Sequence, residues 1–493
     1  MLIAQINSIA GDLDGNLKKI HQIAEQCPHS PGETIVFPAY ALTGWPLGDL
    51  AYSKSFMAEV HKKLDKLYHL EHGILTAIPD GAGGATPVLA NEKGVHYGSR
   101  FTIGEFTIAV SVGFEPVSCD GTDKLIVLDA RPYKTGSAVE TLEHARAFAT
   151  RIRLPLTYTN LVGGNDSSVY AGGSFMLDLD GGFVEVLPLW EEGVAGVGQI
   201  SWPWPAEPEN TWRALMTGVR DYVEKNGMKG VVLGLSGGFD SAMCAAIAVD
   251  ALGADRVRAV MMPSPYTSRE SLDDAKSVAD CLGIRYDILP IVDQMKAFET
   301  ALAPAFKGTE PDTTEENIQA RLRGLTLMAL SNKFGYLLLT TCNKSEEAVG
   351  YATLYGDMCG GFAPIKDLYK TDAYALARWR NEHHPAWIKN DIKRIMPDVL
   401  ITKAPTAELR PNQKDSDSLP VYEKLDPILK MLIEGDCGID EIVAAGHDEA
   451  DVRRVFKMLH RAEFKRKQGA PGIKLSRRSF DDGEWNYPIT KKV

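Results

Sequence analysis

The stretch Gly234-Leu-Ser-Gly-Gly-Phe-Asp-Ser241 constrains this chain more than any other. It follows an apolar run over 231–235 and precedes an alanine-rich run over 241–252. That order predicts a buried strand, a tight loop and a helix. The glycines let the backbone approach phosphate oxygens, and Ser236 and Ser241 add hydroxyl donors. The helix N-terminus then offers free N–H groups and the positive end of its dipole to an anion. Asp240 would repel bare phosphates and makes sense beside them when Mg²⁺ lies between. No GxxxxGK[ST] occurs in the chain, so this is not a kinase-type phosphate loop. A Gly-Gly turn before a helix can also be plain turn chemistry; strand, loop, acid and helix in register favour the phosphate reading.

After the loop, runs at 257–262 and 286–290 read as strands and 272–282 as a helix, which predicts a doubly wound parallel sheet. Ahead of it, strand-like runs at 34–37, 74–78, 106–112, 125–128 and 174–179 alternate with helical stretches at 17–26 and 137–151, as in an α/β or α+β sandwich. Length alone, 493 residues, asks for two domains. The proline-rich segment 201–210 is expected to link residues 1–200 to residues 211–493. Residues 1–7 read as a first strand and not as a signal peptide. No apolar run is long enough to cross a membrane. Seven scattered cysteines without a CxxC pair suggest neither a disulfide framework nor a zinc site, and a reducing cytoplasm is expected. The net charge of −12 speaks against general nucleic-acid binding. One local exception, 453–478, gathers ten Lys and Arg. It is either a solvated helical face or a basic arm for a phosphate-bearing ligand.

The loop resembles the SGGxDS loop of the ATP pyrophosphatase superfamily, whose members cleave ATP between the α and β phosphates. Six further stretches are similar to NAD synthetases: Glu315-Glu-Asn-Ile-Gln-Ala-Arg321, Leu327-Met-Ala-Leu-Ser-Asn-Lys-Phe-Gly335, the run from Leu339 to Met358, Gly361-Phe-Ala-Pro-Ile-Lys-Asp367, Pro405-Thr-Ala-Glu-Leu409 and Lys465-Arg-Lys-Gln-Gly-Ala-Pro-Gly472. Cys342 and Glu347 depart from the family's usual Gly and Met. The C-terminal half is thus expected to have the adenine-nucleotide α-hydrolase-like fold. The resemblance implies ATP on Gly234, Leu235, Ser236, Gly237, Gly238, Phe239, Asp240, Ser241, Thr341, Lys370 and Thr406. It implies Mg²⁺ on Asp240 and Glu346. Deamido-NAD is expected on Asn317, Glu346, Tyr351, Ala352, Thr353, Leu354 and, from the basic arm, Lys465. Asp240, Ser236, Ser241 and Lys370 would carry the chemistry. Taken singly, Thr341 could just end a strand, Glu346 could open a helix, and the lysines could be surface residues; their joint spacing favours the functional reading.

The N-terminal half resembles the carbon–nitrogen hydrolase (nitrilase) domain of glutamine-dependent NAD synthetases, through residues 7–16, Val36-Phe-Pro-Ala-Tyr-Ala-Leu-Thr-Gly-Trp-Pro46 and the run from Val162 to Phe175. That family uses a Cys nucleophile, a Glu base and a Lys near the oxyanion. Here Ala39 stands at the Glu position and Gly113 at the Cys position, and the Lys-bearing stretch is absent, with only Lys93 in a turn. At about 200 residues against about 260 expected, loops are missing too. The domain is expected to be a scaffold that has lost its amidase chemistry, with Cys119 a conceivable substitute nucleophile.

The expected reaction is therefore ATP-dependent amidation of deamido-NAD to NAD through an adenylated nicotinate, releasing AMP and pyrophosphate, with ammonia as donor. The alternatives are glutamine use through Cys119 or a separate glutaminase, amidation of the mononucleotide, and a non-catalytic assembly protein. The resemblance also implies a homodimer or higher homo-oligomer; the apolar segment 325–339 could serve such an interface as well as a core.

Overall fold

The computed structural model describes residues 1–27, 33–196, 204–410, 413–481 and 483–491. The chain divides into two compact units, Met1–Asp221 and Tyr222–Val493. This division falls inside the helix Glu207–Lys225 and not in the expected linker. Residues 201–203 of that linker lie outside the described residues. From Glu207 onward the expected linker is helical. Pro208 does not prevent this, because the N–H groups of a helix's first turn have no partner to lose.

The first unit holds two six-stranded sheets. One runs in the order Gly193–Ala195, Leu2–Gln5, Thr34–Ala39, Gly73–Pro79, Ala85–Asn91, Gly94–Tyr97. The other runs Phe183–Val186, Phe175–Leu177, Leu156–Thr159, Lys124–Leu128, Phe106–Val112, Arg100–Ile103. The central strands of each are parallel. Their runs are apolar without alternation because both faces are buried. Ile3, Val36 and Leu75 join Ile108, Val110 and Ile126 in one core between the sheets. Their neighbours in sequence, Ala4, Ile35 and Ile74, belong to a second core under the helices Leu13–Gln26 and Lys54–Leu64. Ala109, Leu125 and Val127 form a third with the helix Ser137–Ile152. The result is the expected nitrilase-like α/β sandwich, helix–sheet–sheet–helix. Where the sequence shows one turn at Lys93, the structure has a hairpin, with Asn91 opposite Gly94.

The second unit carries a four-stranded parallel sheet in the order Arg285–Ile288, Val257–Met261, Val231–Gly234, Leu337–Leu338. Val232 and Val260 share a core with Leu322 and Leu327 of the helix Thr313–Phe334 and Met295 of the helix Val292–Leu302. Strand alternation turns Val231, Leu233 and Ala259 to the opposite face. The helices Phe239–Leu252 and Arg269–Leu282 pack against the strands Val231–Gly234 and Val257–Met261. The strand order reverses between Val231–Gly234 and Leu337–Leu338, and a ligand crevice belongs at such a switch point, at the strands' carboxyl ends. Within the segment 325–339, Leu327 belongs to the core, whereas Leu325 is 65% exposed. Among the described residues no helix is long and apolar enough to cross a membrane.

A buried ion pair ties this unit together. Arg380, fully buried on the helix Lys370–Glu382, donates from Nε and Nη2 to the two oxygens of Asp250 at 2.8 and 3.2 Å. Its other donors go to the carbonyls of His383 and Ile392. Removing one partner strands a charge out of water. Arg380→Met is expected to destabilise the second unit by about 3–5 kcal/mol, read as a lowered urea midpoint for hydrogen exchange in its central strands.

Candidate active site

The phosphate loop closes on itself through its own hydroxyls. Ser241 Oγ accepts from the Ser236 N–H at 3.2 Å and donates to the Gly238 carbonyl at 3.0 Å. Ser236 Oγ accepts from the Gly238 N–H at 3.2 Å. Gly237 has φ +81°, and a Cβ there would lie 2.2 Å from the Ser271 carbonyl oxygen, so the position needs glycine twice over. No side chain caps the helix that begins at Phe239, which leaves its first N–H groups open to an anion.

The loop borders a cavity of about 280 Å³ whose lining includes Thr341, Glu346, Lys370 and Thr406. All the expected ATP residues therefore meet in one place. At its floor lies a charge cluster. Lys370 Nζ, fully buried, bonds Asp240 and lies 3.4 Å from Glu346 Oε1. Burial alone would lower the Lys370 pKa; the Asp240 and then the Glu346 carboxylates outweigh it and hold the ammonium well above its ordinary range. Glu346 is pushed up to about 8, by burial first and by the nearby Asp240 charge second, with Lys370 opposing.

Asp240 and Glu346 are hard oxygen donors converging on one point, which fits Mg²⁺. Among the described residues no cluster of three His, Cys, Asp or Glu is built to hold a metal. That suits an ion whose remaining ligands come from phosphate and water, as Mg²⁺ beside ATP takes them.

Several lining residues were not foreseen. Asp415, held by the hydroxyls of Tyr351 at 3.2 Å and Tyr422 at 3.1 Å, has its carboxyl raised by burial. Asp357 accepts from the Thr353 N–H at 2.6 Å and is likewise raised by burial. Arg323 donates to the Met262 carbonyl at 3.1 Å, and burial lowers it to about 10. Glu408 joins the loop containing Thr406 to the helix Arg269–Leu282, accepting from Ser271 Oγ at 2.9 Å. Asp357 and Glu408 lay inside the matching stretches and Arg323 two residues beyond one. Asp415 follows the Pro405–Leu409 motif with no motif of its own.

Of the residues expected to meet deamido-NAD, Glu346 and Tyr351 line the cavity. Asn317, Ala352, Thr353, Leu354 and Lys465 are not among its lining. Asn317 Oδ1 accepts from the Thr353 hydroxyl at 2.8 Å, and the Leu354 carbonyl accepts from Arg321. Lys465 donates to the carbonyls of Gly350 and Ala352 at 2.8 and 2.6 Å. Its ammonium braces that turn. Neighbouring cations are committed too: Arg466 to buried Glu463 and Lys474 to Glu484.

In the first unit, Ala39 ends its strand inside the core between the sheets. Gly113, φ +59°, follows the strand Phe106–Val112; a Cβ there would meet only Asp129 Oδ1, at 3.9 Å. Neither offers a functional group. Cys119 is half-buried, and burial and then Asp120 push its thiol up, away from the reactive thiolate.

The model of the NAD synthase family matches residues 211–469. A glutamine-dependent NAD(+) synthetase of Rhodobacter capsulatus is 49% identical over 388 residues, covering 76% of this chain and 69% of that protein. One from Thermotoga maritima is 38% identical over 572 residues, covering 99% of this chain and 98% of that protein. That alignment is longer than the 493-residue chain, so the relative carries segments that this chain lacks. Among solved structures, glutamine-dependent NAD+ synthetase from Acinetobacter baumannii in complex with ADP is 33% identical with a TM-score of 0.75, covering 99% of this chain and 98% of that one.

The charge cluster makes stability depend on pH. Glu346 ordinarily titrates at 4.5 and in the fold near 8, so between these values the folded state holds a proton that the unfolded state has released. Stability from this group is full below about pH 4.5 and is lost as pH rises towards 8. With divalent cations chelated, Glu346→Gln is expected to flatten the fall in urea midpoint between pH 5 and pH 8; an unchanged slope would assign it to other groups.

Proposed function

The chain belongs to the family of glutamine-dependent NAD(+) synthetases, and we propose that its second unit amidates deamido-NAD with ammonia at the cavity just described. It is an NAD synthetase, an enzyme that forms NAD by C–N ligation. The observation that carries the site reading is the meeting of the open helix N-terminus at Gly238 with Asp240, Glu346 and Lys370 around one cavity. A nicotinate carboxylate cannot expel oxide, so its oxygen first attacks the α-phosphorus of ATP. The bond to the β-phosphate breaks and pyrophosphate leaves. Ammonia then attacks the acyl carbon, AMP departs with the carboxylate oxygen, and one proton is lost. The loop N–H groups and Lys370 stabilise the charge that gathers on phosphate during both steps. Mg²⁺ bound by Asp240 and Glu346 would supply further charge neutralisation at the phosphates.

For the nitrogen donor, the relatives' names favour glutamine. The residues of this chain favour ammonia: Ala39 and Gly113 carry neither base nor thiol, Lys93 sits in an exposed hairpin turn, and the Cys119 thiol is held protonated. Each missing group typically costs about 10² or more in rate, and members of one catalytic unit fail together.

Purified protein with ATP, Mg²⁺ and deamido-NAD is expected to make NAD and AMP from ammonium, faster as pH rises and NH₄⁺ gives up its proton. Glutamine should yield negligible product, and Gly113→Cys alone should not restore its use. Efficient glutamine-driven synthesis abolished by Cys119→Ala would sink the ammonia reading. Asp240→Asn is expected to lower turnover by orders of magnitude in protein that circular dichroism shows to be folded, with some loss of stability because Lys370 keeps only Glu346; wild-type turnover at matched Mg²⁺ would remove Asp240 from the site.

A further inference from the structure

Asn343 lies between the strand Leu337–Leu338 and the short helix Lys344–Val349, fully buried, and both ends of its amide are used. Its Oδ1 accepts from the Glu346 backbone N–H at 3.0 Å, the N-cap bond of that helix. Its Nδ2 donates to Asp240 Oδ1 at 2.9 Å, while Asp240 Oδ2 receives Lys370. The orientation of the amide is not free: the N–H needs an acceptor and the carboxylate a donor, and only one of the two flips satisfies both. One neutral side chain thus fixes the plane of the Asp240 carboxylate and, through the cap, the start of the turn that carries Glu346.

We propose that Asn343 is the positioning residue that sets the spacing of the two magnesium carboxylates. The proposal rests on the reading that Asp240 and Glu346 hold Mg²⁺. The residue type follows from the task. Ser, Thr and Asp can cap a helix but bring no N–H to Asp240, and Gln is a methylene too long to cap in the same way. Lys370 already meets Oδ2, and a neutral amide orients Oδ1 without adding a second positive charge beside the metal ligands. Mg²⁺ demands near-octahedral geometry, so it tolerates poorly a carboxylate free to rotate. Losing a hydrogen bond that orients a metal's ligand typically costs about 10–100-fold in affinity.

Asn343→Ser keeps a cap acceptor and deletes the donor to Asp240, and Asn343→Thr does the same with a different shape. Mn²⁺ binding to the full chain, followed by electron paramagnetic resonance with α,β-methylene-ATP and no deamido-NAD, reads the metal site without turnover. Both variants are expected to bind Mn²⁺ about 10–100-fold more weakly, with a raised Mg²⁺ requirement in the assay and an unchanged KM for deamido-NAD. Wild-type Mn²⁺ affinity in a folded variant would overturn the proposal, as would a failure of both variants to fold, which would make Asn343 a core residue. Asp240→Asn separates the two ideas: if it binds Mn²⁺ like wild type, the metal reading itself fails, whatever the Asn343 variants do.

Discussion

Lys370 carries a full positive charge into the protein interior, and much of the second unit is arranged around that fact. A buried ammonium is tolerable only with carboxylates on it, and Asp240 and Glu346 come from two different elements to supply them. Bringing them together docks the phosphate loop, the turn after Leu337–Leu338 and the helix Lys370–Glu382 against one another. The same burial that makes the lysine need its partners raises Glu346, so the cluster holds a proton that a more solvated site would release. A site so built has its charges placed before any phosphate arrives, which is the condition for electrostatic stabilisation without reorganisation.

Close backbone approach is the second constraint. Gly237 passes the Ser271 carbonyl with no room for a Cβ, and Glu408 pins the neighbouring loop to the same helix. Lys403 reaches that helix as well, at Glu270 and Asp274. The segment carrying Thr406 is thereby strapped over the cavity by polar contacts at its two ends. Such contacts hold a loop without filling the space beneath it.

The first unit shows how independent packing can be of chemistry. Its three cores are built from strand residues that alternate between the faces of two sheets, with helix residues completing the outer two, and none of them depends on a catalytic group. Ala39 and Gly113 stand at strand ends, and small residues there leave the sandwich buried on both faces.

Much of this was written in the sequence. The loop at 234–241, bounded by an apolar strand and an alanine-rich helix, specified its own conformation, because glycine and serine at those spacings leave the backbone few other choices. That Ala39 and Gly113 bring no nucleophile or base of their own was equally legible, since folding cannot supply a missing functional group. What only the tertiary structure decided were the partnerships of charges. Lys465 and Arg466 lie in the basic stretch 453–478, for which the sequence left a solvated face and a basic arm both open; in the structure Lys465 donates to carbonyls and Arg466 pairs with buried Glu463. Asp415 and Asn343 carried no spacing that announced a role; the first joins the cavity through two tyrosines and the second through Asp240, more than a hundred residues away in the chain. Local sequence determines which backbone can form, whereas the low-dielectric interior determines which distant side chains must meet.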